Sequence, residues 1–323
     1  MYTKTRPRKS PLAAASCGLL LLTLILGPAA QAEGNLQDGF FQRLKRDVYL
    51  NTFWGRQQQN LTVVPPVTDA EQQRRERLTL VDEGYSFTPE AFMAEVRAGN
   101  LQAIQRYIFA GMDPNTTLVG DMPALLHAAQ VGNTASLQLL RRNGADLNAT
   151  NLRRENALLI AIKRRHFGLA RYLIDQGINF TQQDVDRWTA LHHAIFANNG
   201  DLMLSLVNKD RSLLTYSTNA GFTPLLTAIW QGNQPMVDAL LALGADPTVR
   251  DTGGNTALHL AVQRNQVTLV RSLLESGMAP NPTNRQNWTP MDVAIHTNNT
   301  DLSQLLLRYG GKPNRPQAPR RGL

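Results

Sequence analysis

The chain has 323 residues, 42% of them hydrophobic, and a formal net charge of +8, which is enough apolar sequence for an extended core. Its single cysteine, Cys17, excludes a disulfide framework within the chain and a cysteine-rich zinc module. Four of the basic residues and no acid lie in positions 1–32, so residues 33–323 carry only +4, and we expect no general affinity for nucleic acid.

Residues 1–32 have the order of a secretory signal peptide. Four basic residues within the first nine positions precede an apolar run that is densest at 19–26, and Ala-x-Ala follows at 30–32. The apolar run is too short and too broken for a good spanning helix, which favours cleavage before Glu33 over an uncleaved anchor. Cys17 precedes most of that run, whereas a lipidated cysteine should follow it. A leader together with a mature chain free of cysteine favours a bacterial periplasm.

Residues 33–84 are predicted to form a helical and extended capping segment. An amphipathic helix is expected at 36–49, a Pro-rich extended stretch at 63–67, and a second short helix at 69–76. The first helix has two interpretations. We favour a cap over the open end of the following repeats, and the alternative is a helix that lies on a membrane surface.

A block of eight residues then recurs along the chain. Residues 254–261 read Gly-Asn-Thr-Ala-Leu-His-Leu-Ala, and related blocks begin near 188, 221 and 288. A small residue keeps the same phase at steps of 33 or 34, at Ala128, Ala161, Ala194, Ala228, Ala261 and Ala294. A Gly keeps a second phase at Gly111, Gly144, Gly177, Gly244, Gly277 and Gly310, with Asp210 where one is missing.

This pattern resembles the ankyrin-repeat family over residues 85–313. The resemblance implies an all-α ankyrin-repeat solenoid of about seven helix-turn-helix repeats with hairpin loops, which is stabilised by stacking rather than by disulfides. Repeat one is degenerate, with Glu95 at the small-residue position, and repeat four is irregular around Asp210. The Pro- and Arg-rich residues 314–323 are expected to form a disordered basic tail.

The histidines are interpreted as structural rather than catalytic. His192 and His259 fill the His of the repeated block, whose side chain in this family bonds to the hairpin backbone, and His166 follows the mid-repeat turn. His127 and His193 lie two repeats apart and cannot share one zinc ion. The sequence has no zinc-binding spacing, nucleophile elbow or phosphate loop, so we expect no metal, no cofactor and no catalytic residues.

The resemblance instead implies binding of another protein through the hairpin tips and the exposed first-helix residues on the concave side. Two clusters stand out at those positions. The first is an aromatic patch: Trp188, Phe196, Phe222 and Trp230. The second is a basic cluster: Arg153, Arg154, Lys163 and Arg164. We predict that the four rings form one patch in contact across repeats four and five. Packing of one hairpin on the next is the alternative for the rings, and a solvated face is the alternative for the charges.

The expected protein is therefore an exported, monomeric, non-enzymatic binding module of the periplasm. It is similar to periplasmic ankyrin proteins of Gram-negative bacteria, some of which support resistance to oxidative stress beside a catalase. Two alternatives stay open: an immunity or inhibitor protein that blocks a periplasm-acting toxin, and an enzyme with an unrecognised site.

Overall fold

The computed structural model describes residues 69–118 and 122–314. The predicted leader at 1–32, the helix at 36–49, the extended stretch at 63–67 and residues 315–323 of the tail lie outside the described residues. None of the described helices is both long enough and apolar enough to cross a membrane.

One helix, α1 (Asp69–Asp82), precedes seven helix pairs. The pairs are α2 (Pro89–Ala98) and α3 (Leu101–Phe109), α4 (Ala124–Val131) and α5 (Thr134–Arg142), α6 (Ala157–Lys163) and α7 (Phe167–Asp175), α8 (Ala190–Phe196) and α9 (Gly200–Lys209), α10 (Pro224–Gln231) and α11 (Gln234–Ala242), α12 (Ala257–Gln263) and α13 (Val267–Glu275), and α14 (Pro290–His296) and α15 (Thr300–Arg308). The predicted all-α solenoid of seven repeats is confirmed.

The core runs the length of the stack between the first and second helices. Each first helix packs against its own second helix and against the first helix of the next repeat. The small residue of each repeat from Ala128 to Ala294 is fully buried, because a larger side chain would separate the helices at this closest approach. The period of 33 read from the sequence is therefore the period of the core.

Local sequence explains where the helices begin and end. Thr223 caps α10 by accepting the Leu226 N–H, and an Asn does the same at the start of most second helices. The repeat Gly follows each second helix with a positive φ, for example +93° at Gly244, which suits a residue without a Cβ. In repeat four Asp210 ends α9 instead and caps a 3-10 helix, Arg211–Thr215.

The hairpin loops form a second, thinner layer that links the repeats through the backbone. In repeat two the hairpin is a two-stranded antiparallel pair, β1 (Thr117–Leu118) and β2 (Met122–Pro123). Further along, one hairpin N–H in each repeat donates to a carbonyl of the preceding hairpin at 2.9–3.1 Å. These bonds run from Val185 to Arg153, from Asn219 to Asp186, from Thr252 to Ala220 and from Arg285 to Gly253.

Helix α1 lies within the segment 33–84, for which the sequence predicts a cap, and it packs against α3 of the first repeat. Leu80 is fully buried there, and Arg77 donates from Nε to the Ala110 carbonyl at 2.6 Å. The predicted short helix at 69–76 is confirmed and extends to Asp82. A capping role for the whole segment 33–84 stays a prediction.

The C-terminal end of the stack is bonded one residue further than predicted. The N–H of Asn314 donates to Asp292 Oδ2 at 3.0 Å, and its side-chain amide donates to the Asn287 carbonyl at 3.0 Å. Asn314 therefore belongs structurally to repeat seven rather than to a disordered tail that starts at 314.

Candidate functional site

The hairpin face carries a side-chain pairing that repeats with the fold. In three repeats, the residue directly before the N-cap of the first helix packs against the first-helix residue eight positions later. Ring centroids lie 5.6 Å apart in Trp188–Phe196, 5.7 Å apart in Phe222–Trp230 and 4.9 Å apart in Trp288–His296. Eight positions place the second residue about two helical turns above the hairpin, which brings the two side chains together.

The aromatic patch differs from the predicted one in how its rings meet. The ring contacts of its four members run within each repeat, so the predicted contact across repeats is wrong. Phe222 and Trp230 are half-buried and pack against the core, whereas the Phe196 side chain is 59% exposed. Hairpin packing therefore explains part of the patch, and Phe196 is its accessible member.

Polar side chains join the aromatic residues of neighbouring repeats. Gln231 donates from Nε2 to the Phe196 carbonyl at 3.1 Å, and Arg264 donates from Nε to the Trp230 carbonyl at 3.1 Å. The Arg264 guanidinium also lies 4.6 Å from the Trp230 ring centre, in cation–π geometry. Phe196, Trp230 and Arg264 line an open hollow of about 390 Å³ together with Asn198, Gln231 and Asn233.

The basic cluster divides into a paired and an unpaired part. Lys163 forms an ion pair with Glu155, whose side chain is only 9% exposed. Burial alone would raise the pKa of the Glu155 carboxyl, but hydrogen bonds from Asn151 and Lys163 bring it below its ordinary value. Lys163 therefore balances a buried carboxylate and is not an open positive group. Arg164 is exposed and makes no ion pair with a described residue.

A buried hydrogen-bonded pair beneath the aromatic patch, His193 and Asp184, has no counterpart among the sequence predictions. His193 Nε2 lies 3.0 Å from Asp184 Oδ2, and the His193 ring packs 5.1 Å from the Trp188 ring. Asp184 Oδ1 also accepts the N–H groups of Asp186 and Trp188, which shapes the hairpin. Burial alone would raise the pKa of Asp184, but the hydrogen bond from His193 and those from the backbone hold it below its usual value.

A sequence signal for this turn exists, because the first hairpin position is Asn, Asp or Thr in successive repeats. Asn151, Asp184, Thr218, Asp251 and Asn284 each accept hydrogen bonds from backbone N–H groups further along the turn. The type of residue is readable from the period. The contact between Asp184 and His193 depends on the rotation of α8 about its axis, and the repeat period does not specify that rotation.

The histidines of the repeated block link the repeats. His192 Nδ1 accepts from the N–H of Thr189, and its Nε2 donates to the Phe222 carbonyl of the next repeat at 3.0 Å. His259 repeats this arrangement between Thr256 and the Trp288 carbonyl. Burial lowers the pKa of His192 to about 4, so the ring is neutral in the folded protein near pH 7. These two rings have the structural role that the sequence predicts.

The remaining histidines form no metal site in the described part of the chain. His166 Nε2 lies 3.1 Å from the Gln130 carbonyl and thereby links repeats two and three. His127 is buried, and neither of its ring nitrogens has a hydrogen-bond partner among residues 69–118 and 122–314. No group of three or more His, Cys, Asp or Glu side chains comes together in those ranges.

Comparison with known proteins decides the family. The family model for ankyrin repeats in three copies matches residues 92–184, 178–251 and 244–317. The chain is an ankyrin-repeat protein. Ankyrin repeats bind other proteins, and the fold is generally a non-enzymatic interaction module.

This ankyrin protein spans less than half the length of the curated relatives that it matches. An L-asparaginase of Dirofilaria immitis is 32% identical over 133 residues, which are 41% of this chain and 22% of the relative. The crystal structure of the ankyrin repeat domain of Bcl-3, a member of the IkappaB protein family, superposes with a TM-score of 0.59 at 26% identity, covering 68% of this chain and 98% of that one. The human ASB11 ankyrin repeat domain gives 0.56 at 23% identity, covering 70% and 99%, which shows the fold alone.

Proposed function

We propose that this ankyrin protein is an exported scaffold that binds another protein through the hairpin face of repeats four to six. The observation that carries the proposal is the side chain of Phe196, which is 59% exposed beside a hollow lined by Trp230 and Arg264. A large ring exposed next to a concave surface is typical of the anchors of protein interfaces, where truncation often costs about 2 kcal/mol. The predicted leader supports a periplasmic location.

Capture of partners from a periplasmic extract on the immobilised mature chain tests the binding site. Phe196→Ala should abolish retention of the partner, whereas Leu307→Ala should leave it unchanged. Leu307 is a suitable control because its side chain is 65% exposed on α15, away from the hollow. Trp230 is less suitable as a first variant, since it packs against the core and its removal would also cost stability. Equal retention by the wild type and Phe196→Ala would contradict the proposed site.

Export and biological role need separate measurements. N-terminal sequencing of the exported protein should begin at Glu33, and a chain that begins at Met1 or carries a lipid on Cys17 would contradict cleavage. A role in oxidative-stress protection would appear as greater peroxide sensitivity of a deletion strain, restored by the wild-type chain and not by Phe196→Ala.

A further inference from the structure

Five exposed arginines of repeats three and four form a surface that the fold does not neutralise. This basic surface consists of Arg153, Arg154, Arg164, Arg165 and Arg187. None of them makes an ion pair with a described residue. Residues 152–187 contain four acids, of which Glu155 and Asp184 are buried and paired, Asp175 ends the second helix α7, and Asp186 is exposed on the hairpin. Exposed positive charge therefore outnumbers exposed negative charge in these repeats, both on the hairpins and at the C-terminal end of α6.

Three of these arginines have backbone conformations that disfavour them. Arg154, Arg165 and Arg187 have φ angles of +59°, +64° and +62°. Such angles are uncommon for residues other than Gly, Asn and Asp, and they cost roughly 1 kcal/mol or more. The positions equivalent to Arg165 are Gly99, Gly132, Asn198, Gly232, Asn265 and Asn298, all with positive φ. Those equivalent to Arg154 and Arg187 are Gly221, Gly254 and Asn287.

Among the described residues, every positive-φ residue other than Gly and Asn is thus an arginine of the basic surface. The backbone would be more stable with the residues that the other repeats carry, so local folding does not explain these side chains. Strain that persists in a fold is concentrated at functional sites. Binding of a ligand that requires guanidinium groups at these positions would explain why arginine is present there.

We infer that the basic surface binds an acidic polypeptide segment that continues onto the aromatic hollow. This inference rests on the proposed function and names the chemistry of its partner. Carboxylates suit the site because guanidinium groups donate two parallel hydrogen bonds to them, and the surface offers no competing acid except Asp186. Phe196 lies on the helix that follows the Arg187 hairpin, so the charged and apolar parts of the site adjoin.

The spacing of the repeats sets the spacing of the ligand. Neighbouring packed helices lie roughly 10 Å apart, and an extended chain rises about 3.3 Å per residue, so a bound segment advances about three residues per repeat. Arg164 lies one repeat before Phe196 and two before Trp230. The ligand should therefore carry acidic residues about three to six positions from a bulky apolar residue.

Selection of random twelve-residue segments displayed on phage, with the full chain as target, tests this chemistry. Enriched segments should combine acidic residues with an apolar residue at that spacing, and their affinity should fall as salt rises. Enrichment of segments without acids, or no enrichment, would overturn the inference. Binding of phosphatidylglycerol vesicles or of a single-stranded oligonucleotide, with no acidic segment selected, would overturn it in favour of a different class of partner.

The deciding variant replaces Arg154, Arg165 and Arg187 together by glycine. Because glycine suits a positive φ, this variant should melt at the same or a higher temperature than the wild type. It should nevertheless bind the selected segments about tenfold more weakly at low salt, since three exposed charge contacts are lost. Unchanged affinity in the glycine variant would refute the inference, and its preserved fold removes loss of structure as an explanation.

A control variant tests the effect of net charge independently of position. It replaces three exposed arginines outside the basic surface by glutamine: Arg211, Arg271 and Arg308. This variant loses the same net charge and should bind like the wild type. The proposed function fails separately: retention of the natural partner by Phe196→Ala would refute the aromatic site. If Phe196→Ala loses the natural partner and the glycine variant retains it, the proposed function stands. The inference that the partner presents an acidic segment would then be refuted.

Discussion

Acid should destabilise the repeat stack through protonation of the buried His192. The ring is fully buried between repeats four and five, and burial lowers its pKa from an ordinary 6.5 to about 4. Its hydrogen bond to the Phe222 carbonyl opposes that shift, His193 adds to it, and Asp184 opposes it. Because the folded pKa is below the unfolded one, the unfolded chain binds the proton first as pH falls.

The stabilisation due to neutral His192 is therefore complete above pH 6.5 and is lost progressively between 6.5 and 4. A difference of this size between the two pKa values corresponds to about 2 kcal/mol lost by pH 5 and about 3 kcal/mol by pH 4. The carboxyl of Asp184 does not add to this loss, because its pKa is held below the usual value and its contribution declines only at lower pH. His259 adds to the loss in the same direction, since burial lowers its pKa too.

Urea unfolding followed by circular dichroism at pH 7 and pH 5, at constant ionic strength, measures this loss. His192→Leu is the matched variant, because Leu126, Leu159 and Leu226 occupy the same position in other repeats. The variant should be less stable at pH 7, by about 1–3 kcal/mol, since the Phe222 carbonyl loses its donor. It should then lose about 2 kcal/mol less than the wild type between pH 7 and pH 5. Parallel losses in the two proteins would refute the buried neutral ring.

Three further predictions, made with five variants, test the packing and the turns of the stack by chemical denaturation. Gly221→Ala should destabilise the fold by more than about 1 kcal/mol, because φ is +78° and the added Cβ would lie 2.6 Å from the Thr252 nitrogen. Gly244→Ala should cost less, because φ is +93° but no atom lies within 4 Å of the added Cβ. Equal costs would contradict the steric clash at Gly221. Ala261→Leu should cost about 1–3 kcal/mol by overpacking the closest helix approach, and an unchanged midpoint would show that the repeat phase is wrong. Asp184→Ala should be less stable than Asp184→Asn by about 1–3 kcal/mol, because Asn keeps the acceptor for the Asp186 and Trp188 N–H groups. Equal stability of the two variants would mean that the turn does not need a side-chain acceptor at this position.

The repeat period of the sequence is sufficient to predict the fold, because every repeat has the same local structural requirements. Ala261 and its equivalents are small where two helices meet, and Gly244 and its equivalents allow the positive φ that ends a helix. Both requirements concern one residue and its neighbours within a turn or two, so they are visible in the chain. The same local reasoning predicts the irregular end of repeat four at Asp210, where the Gly is absent.

The candidate site depended on distances between side chains, which only the folded stack decides. The sequence placed Phe196 and Trp230 in the same phase but predicted contact across repeats, whereas each ring packs on its own hairpin. It grouped Lys163 with Arg164, although Glu155 pairs with the first and leaves the second free. These outcomes follow from rotamers and helix rotation, which a period of 33 does not specify. The sequence shows that Arg165 replaces the mid-repeat Gly, but the positive φ that Arg165 keeps at this position is a property of the folded backbone.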